Sequence, residues 1–366
     1  MSTPPFLKYS SIESYTDVKH LEKIRQIFKS DQFTASEKVH GANFQFIVNE
    51  DASNNKISIA CAKRTSILED SEEFYDWRNV LSKHRASLEI LYQKVKTDLN
   101  KYTGDSSTKN LAGVRVYGEL FGGEYPGHGK KNLKPVQKWI YYNTDIDFIV
   151  FDVVVVINSD SPDHTSETFL SSDDVMDLIC SCSSLKSDDD SVFSLKTVPI
   201  LSRGSLDEVI EFCTKNVQFN TKIPHLYGLP DIENNFAEGY VVKANVRVNV
   251  GKHRGVVKVK NPKFDEIIGF VRHDKRDKKS TNDVSEEVKY HTEMIKPYLT
   301  QNRLDNVVSK IGPASVRPKI VGCFLNDAKI DYIKSFDDDD SVKDFEKVWK
   351  DVQKNLTPLC NTFVYP

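Results

Sequence analysis

Five short segments place charged residues at the ends of apolar-alternating runs, where packing alone does not require them. These are "EKVHG" (Glu37, Lys38, His40), "AKRTSIL" (Arg64), "YGELFG" (Glu119), "EGYVVK" (Glu238, Lys243) and "VKVK" (Lys258, Lys260), and Phe151 lies in the apolar run "FIVFDV". Together these residue types suit one kind of reaction. An amine such as Lys38 attacks only after losing its proton, and nearby cations such as Lys258 and Lys260 would lower its pKa. Arginine and lysine can neutralise charge on a phosphoryl group in flight. A carboxylate such as Glu238 can hold a hydrated divalent cation against phosphates. A buried aromatic can stack on a purine, and a second carboxylate can accept a bond from a ribose hydroxyl. The combination describes covalent nucleotidyl transfer to Lys38 through a phosphoramide.

Taken singly, each residue has a plainer meaning. Lys38 is a lysine beside a turn, His40 a hydrogen-bonded turn histidine and Phe151 a core aromatic. Arg64 and Glu119 make a surface ion pair, worth little to stability. Lys258 and Lys260 alternate with valines, as the solvated face of an edge strand would. The weight rests on all of them occurring together and in this order.

The elements that must position these residues are mostly strands. Residues 33–48 ("FTASEKVHGANFQFIV") and 56–62 read as strands, the first interrupted at His40-Gly41. Strand signals return at 114–121, 146–157, 238–244 and 255–260, with helical spacing over 72–100 and 205–215 and weaker helical character over 169–185. Lys243 lies five residues beyond Glu238, so a regular strand points the two to opposite faces. After Pro262 glycine falls away and helical periodicity takes over, at 283–296, 300–311, 316–334 and 341–356. The expectation is an α+β chain, with an antiparallel-sheet domain over 1–264 and a small all-α domain over 265–366.

Composition agrees with a globular protein of that size: 366 residues, 39% hydrophobic and 28% charged. No run of eighteen apolar residues suggests a membrane span, and the N-terminus lacks the features of a secretory signal. Six cysteines without C-x-x-C spacing argue against a zinc site or disulfide framework. An intracellular, reducing compartment follows as the expectation, cytoplasm or nucleus, with an organelle or viral setting left open. The net charge of −3 conceals an asymmetry: residues 158–191 hold nine Asp/Glu against Lys186 alone, and residues 243–279 hold twelve Lys/Arg against four Asp/Glu. The acidic stretch reads as a solvated surface excursion. The basic stripe is an arrangement that attracts phosphate polymers. The lysines at 130, 131, 134 and 138 read equally as a nucleic-acid contact or a solvated loop, and "DDDD" at 337–340 precedes a helix whose positive end suits acid.

The ordered set resembles the covalent nucleotidyltransferase superfamily of ATP-dependent ligases and mRNA capping enzymes. "EKVHG", with His40 where DNA ligases and capping enzymes usually carry Asp, is similar to the RNA ligase 2 branch of nick-sealing and kinetoplastid RNA-editing ligases. "KYSSIES" and the pair "EKVHGANF" and "AKRTSIL" look like the same branch. The resemblance spans residues 8–260 and implies an ATP-grasp-like ligase domain followed by a helical domain. It implies that Lys38 takes AMP from ATP, with Glu37 and Lys243 at the nucleotide site. Arg64 would contact the nucleotide, Glu119 the ribose, and Phe151 the adenine. Glu238 would support Mg²⁺ or Mn²⁺, and Lys258 and Lys260 would engage the α-phosphate. Asn43 matches an asparagine that orients the RNA 5′-phosphate, while His40 and Lys243 match positions linked to activity without a definite role. Ala42 departs from the more usual Thr. The implied partner is RNA, as nicked duplex or RNA–DNA hybrid ends, and the implied state is a monomer. The alternatives are a capping guanylyltransferase or DNA ligase, which should carry an OB-fold after "VKVK", and an inactive RNA-binding relative, which should have lost Lys38, Glu238 or Lys258.

Overall fold

The break at His40-Gly41 divides the first long strand signal between two sheets: Phe33–Lys38 belongs to a five-stranded sheet and Ala42–Asp51 to an eight-stranded one. The computed structural model describes residues 6–51, 55–103, 110–128, 134–158, 165–184, 193–265, 284–336 and 339–365. Contacts divide the chain into two compact units, Met1–Asn261 and Pro262–Pro366.

In the five-stranded sheet the order is Glu13–Ser14, Val256–Lys260, Gly239–Ala244, Phe33–Lys38, Ile200–Gly204. It is antiparallel apart from the short pair between Glu13–Ser14 and Val256–Lys260. Phe33, Ala35, Tyr240, Val242, Val257 and Val259 bury one face together with Leu21 and Ile24 of the helix Val18–Ile27 and Val209 and Cys213 of the helix Leu206–Lys215. The period of two then sends Thr34, Ser36, Lys38, Lys243, Lys258 and Lys260 to the opposite face. The apolar alternation thus decides where the charged residues point.

The larger sheet runs Val248–Asn249, Thr165–Phe169, Asn143–Asn158, Leu111–Glu124, Ala42–Asp51, Lys56–Lys63, Ser66–Ile67, with Lys196–Thr197 paired parallel to Asn143–Asn158. Its outer face, with Phe44, Phe46, Val116, Phe148 and Val153, packs with Leu88 and Leu91 of the helix Trp77–Thr97 and Leu178 of the helix Ser172–Ser183. The register between the two longest strands shifts at Tyr117/Gly118 and leaves Phe151 as the extra residue of a β-bulge. Bulges of this kind re-aim a side chain.

Part of the acidic stretch is structured, against the expectation of a solvated excursion. Residues Thr165–Phe169 form a strand, and Asp173 and Asp174 occupy the first turn of the helix Ser172–Ser183, which Ser171 and Asp174 close as a capping box. Acid there meets the positive end of the helix. The rest of that stretch, 159–164 and 185–191, lies outside the described residues, as do Lys130, Lys131, Asp337, Asp338 and the basic residues from 266 to 279.

The second unit is all-α, with helices Val284–Ile295, Gln301–Ile311, Arg317–Ile333 and Asp339–Val364. Its core joins Ile295, Phe324, Leu325, Tyr332, Phe345, Val352, Leu356 and Cys360. The last helix outruns the expected 341–356 and continues through Pro358, because Cys360 belongs to the same buried stripe. Helices, not a string of short strands, therefore follow "VKVK" among the described residues, the opposite of what an OB-fold requires. No described helix is long and apolar enough to cross a membrane.

Candidate active site

Lys38 ends its strand directly opposite Gly239, which on its other side faces Lys260. Glu238 precedes the strand, and regular alternation would turn it away from both lysines. Gly239 has φ +141°, which breaks that alternation. A Cβ at Gly239 would lie 2.1 Å from the Val259 carbonyl oxygen, so only glycine fits both the dihedral and the gap. The result is a convergence on one carboxylate. Lys38 Nζ donates to Glu238 Oε2 at 2.6 Å, His40 Nδ1 lies 3.4 Å from the same oxygen, and Lys260 Nζ is 3.6 Å from Oε1. Glu238 is only 3% exposed. Burial would raise its pKa, but Lys38, His40 and Lys260 outweigh burial and hold the carboxyl well below the usual range. Lys38 thus has a carboxylate partner that the expectation of nearby cations did not include.

The crossing between the sheets is equally constrained. A Cβ at Gly41 would meet the Leu120 carbonyl oxygen at 2.1 Å and Glu119 Cγ at 2.7 Å. That close approach brings the second sheet's Glu119 against the turn, where it accepts the Gly41 amide. Burial pushes the Glu119 carboxyl up to about 8; Lys38 and Arg64 oppose the shift, and the Glu238 charge adds to it. Asn43 pairs with Glu119 across the strands, and its Oδ1 is buried without a hydrogen-bond partner. Arg64, half-buried at the end of Lys56–Lys63, donates to Ser11 Oγ at 2.9 Å. Two groups steady the turn from outside: the His40 amide donates to Tyr142 Oη at 2.9 Å, and Gln137 Nε2 donates to the Gly41 carbonyl at 3.2 Å.

Lys38, His40, Glu238, Lys260, Glu119, Asn43 and Arg64 therefore form one neighbourhood, with Lys258 on the same strand face as Lys260 and opposite Val241. Three expected residues are held by other partners. Phe151 is half-buried at the bulge, its ring 5.0 Å from that of Tyr9. Glu37 alternates to the helix-covered face, where it accepts from Thr221 and from the Lys222 amide at 2.8 Å; burial raises its carboxyl to about 7. Lys243 Nζ is held 2.5 Å from Asp152 Oδ1.

Asp152 is the residue that motif spacing missed. It follows Phe151 directly and also takes Tyr9 Oη and Arg254 Nη2, each at 2.5 Å on Oδ2. Burial opposes its ionisation, but Arg254 and Lys243 prevail and bring its pKa to about 2. This clasp joins both sheets and the N-terminal segment beside the bulge. The available signal was an acid in the middle of the otherwise apolar run 148–157. It also revises the basic stripe as a phosphate track, since Lys243 and Arg254 serve Asp152 and Arg247 serves Asp174.

The donor set decides what cation this site could take. Among the described residues, no group of three or more His, Cys, Asp or Glu converges to hold a metal. Glu238, with Glu119 nearby, fits a Mg²⁺-type ion that takes one or two carboxylates and fills its shell with water and phosphate oxygens.

Comparison with known proteins gives the family. The family profile described as RNA ligase matches residues 31–260, and one described as T4 RNA ligase 2 C-terminal matches residues 281–362. The chain is 26% identical over 321 residues to the mitochondrial RNA-editing ligase 2 of Trypanosoma brucei brucei, covering 77% of this chain and 70% of that protein. It is 26% identical over 280 residues to mitochondrial RNA-editing ligase 1 of the same organism, covering 69% of this chain and about half, 54%, of that protein. A Naegleria gruberi RNA ligase solved with ATP and Mn matches at 18% identity and a TM-score of 0.42, over 71% of this chain and 58% of that one. The profile match takes in more than half of the 366 residues, and the chain belongs to the RNA ligase family.

Proposed function

We propose that the protein is an ATP-dependent RNA ligase that joins a 3′-hydroxyl to a 5′-phosphate in three nucleotidyl-transfer steps. In the first, the Lys38 amine, having given up a proton, attacks the α-phosphorus of ATP. An N–P bond forms, the bond between the α-phosphorus and the bridging oxygen breaks, and pyrophosphate leaves. In the second, the AMP passes from Lys38 to the 5′-phosphate of an RNA end. In the third, the RNA 3′-hydroxyl displaces AMP and closes the phosphodiester. The carrying observation is the convergence of Lys38, His40 and Lys260 on the buried Glu238 carboxylate.

The residues divide this work by position. Glu238 holds the Lys38 ammonium in place before ATP arrives. When bound, a Mg²⁺ or Mn²⁺ ion held by Glu238 would neutralise phosphate charge and favour loss of the lysine proton. Lys260 and Lys258 lie on the strand beside Lys38, where they would meet the α-phosphate. Phe151 would stack on adenine, Glu119 would bind the ribose, and Arg64 would contact the nucleotide. Asn43, with its unused buried oxygen, would orient the 5′-phosphate through its amide group. Glu37, held by Thr221, and Lys243, held by Asp152, would act at the nucleotide pocket from those positions.

The matched C-terminal profile and the relatives named RNA-editing ligases support RNA as the substrate; the preferred form in this proposal is a nick in duplex RNA or an RNA–DNA hybrid. Duplex RNA would be held through its A-form shape, phosphates and 2′-hydroxyls. The six unpaired cysteines suit a reducing compartment. The test is a sealing assay with ATP and Mg²⁺ or Mn²⁺ on nicked duplex RNA against single strands. The proposal expects faster sealing of the nick and no sealing when the 5′-phosphate is removed. Preference for single-stranded ends contradicts the nick assignment, and no joining of any RNA contradicts the function.

A further inference from the structure

Trp139 is the most exposed large hydrophobic residue among those described, with 79% of its surface open to solvent. It also holds φ at +73°, a left-handed conformation that a bulky side chain avoids. A single exposed aromatic needs no explanation, but a strained one held in place does. The backbone is fixed on both sides. Val136 and Ile140 are buried, Gln137 grips the Gly41 carbonyl, and Asn235 exchanges two hydrogen bonds with the Tyr141 backbone, at 2.9 and 2.6 Å. Tyr142 takes the His40 amide. The segment that presents Trp139 to solvent is thus bolted to the turn that carries the candidate nucleophile. Trp139 is two residues from Gln137, so its Cα lies within about 7 Å of the residue gripping Gly41. Lys138, next to it in the chain, and Lys134, five residues before it, are exposed.

We propose that Trp139 is a stacking platform for a base at the RNA end being joined, with Lys134 and Lys138 meeting the adjacent phosphates. Every base has a π-face, so stacking of this kind grips an RNA end without reading its sequence. The clamp to Gly41 would turn that grip into alignment, because the segment that bears the platform is hydrogen-bonded to the turn that follows Lys38. An RNA end suits the site better than a protein surface, since an aromatic flanked by cations can cap the open face of a terminal base and meet its phosphates together. The inference rests on the RNA ligase reading of the same site and adds a binding residue to it.

The test uses the full chain with W139G and W139F. Glycine accepts φ +73° freely, so W139G should fold and melt no lower than the parent. With ATP and Mg²⁺ but no RNA, W139G should form lysyl-AMP within about two-fold of the parent. Its affinity for a labelled 5′-phosphorylated RNA should fall roughly ten-fold or more, as expected for losing one stacked base. W139F should recover most of that loss. Equal RNA affinity in W139G and the parent, or no RNA binding by the parent, overturns the inference. Failure of the parent to form lysyl-AMP overturns the ligase reading instead, and the binding comparison still judges Trp139.

Discussion

An amine that must attack phosphorus is stored here as half of an ion pair. Lys38 Nζ sits 2.6 Å from one oxygen of the Glu238 carboxylate, with His40 beside the same oxygen and Lys260 beside the other. The arrangement fixes the amine in position until ATP and a cation compete for Glu238. Glu238→Gln keeps the shape and removes the charge, so lysyl-AMP formation should fall by about 10²-fold or more in single-turnover labelling, consistent with the loss of a positioned electrostatic partner. Thermal melting should show that the fold survives. Glu119 makes a second prediction. Its folded pKa is raised to about 8 from the usual 4.5, so between those values the native chain keeps a proton that the unfolded chain has released. Stability therefore falls as pH rises through that window. Glu37 acts in the same direction up to about 7. In urea unfolding across this range, Glu119→Gln should give a flatter pH dependence than the parent; an unchanged slope would mean that Glu119 is ordinary.

At the scale of elements, two glycines do what no charged motif can. Gly41 lets the turn lie on the strand Leu111–Glu124, and Gly239 turns Glu238 onto the Lys38 face. Gly41→Ala would force its Cβ against the Leu120 carbonyl, so it should lose about 1–3 kcal/mol of stability and most nucleotidyl transfer, read by denaturant melts and labelling together. Asp152→Asn should cost more, about 3–5 kcal/mol, because it leaves Lys243 and Arg254 buried without a counter-charge. The strands and helices were legible in the sequence because hydrophobic period follows burial. The interruption at His40-Gly41 was legible too, but not that it hands the chain from one sheet to another. Strict alternation misplaced Glu238 because a single positive φ lies outside any period. Asp152 escaped because its partners, Tyr9, Lys243 and Arg254, come from distant segments that only the folded chain brings together.

At the scale of the whole molecule, chemistry and helical packing are divided between two units. Every candidate catalytic side chain precedes Asn261, and the helical unit has its own core around Phe324, Tyr332 and Phe345. A fragment ending at Asn261 should therefore still form lysyl-AMP from ATP, as measured by label transfer, if the first unit holds the complete nucleotide site. The central claim is that AMP becomes attached to Lys38, and the most direct measurement follows the α-phosphate. The chain is incubated with α-labelled or γ-labelled ATP and a divalent cation, then denatured and separated from free nucleotide. The account predicts label retained from α-labelled ATP alone, released by acid as a phosphoramide is, and absent from Lys38→Ala. No retained label with either Mg²⁺ or Mn²⁺, or label that persists in Lys38→Ala, would contradict it.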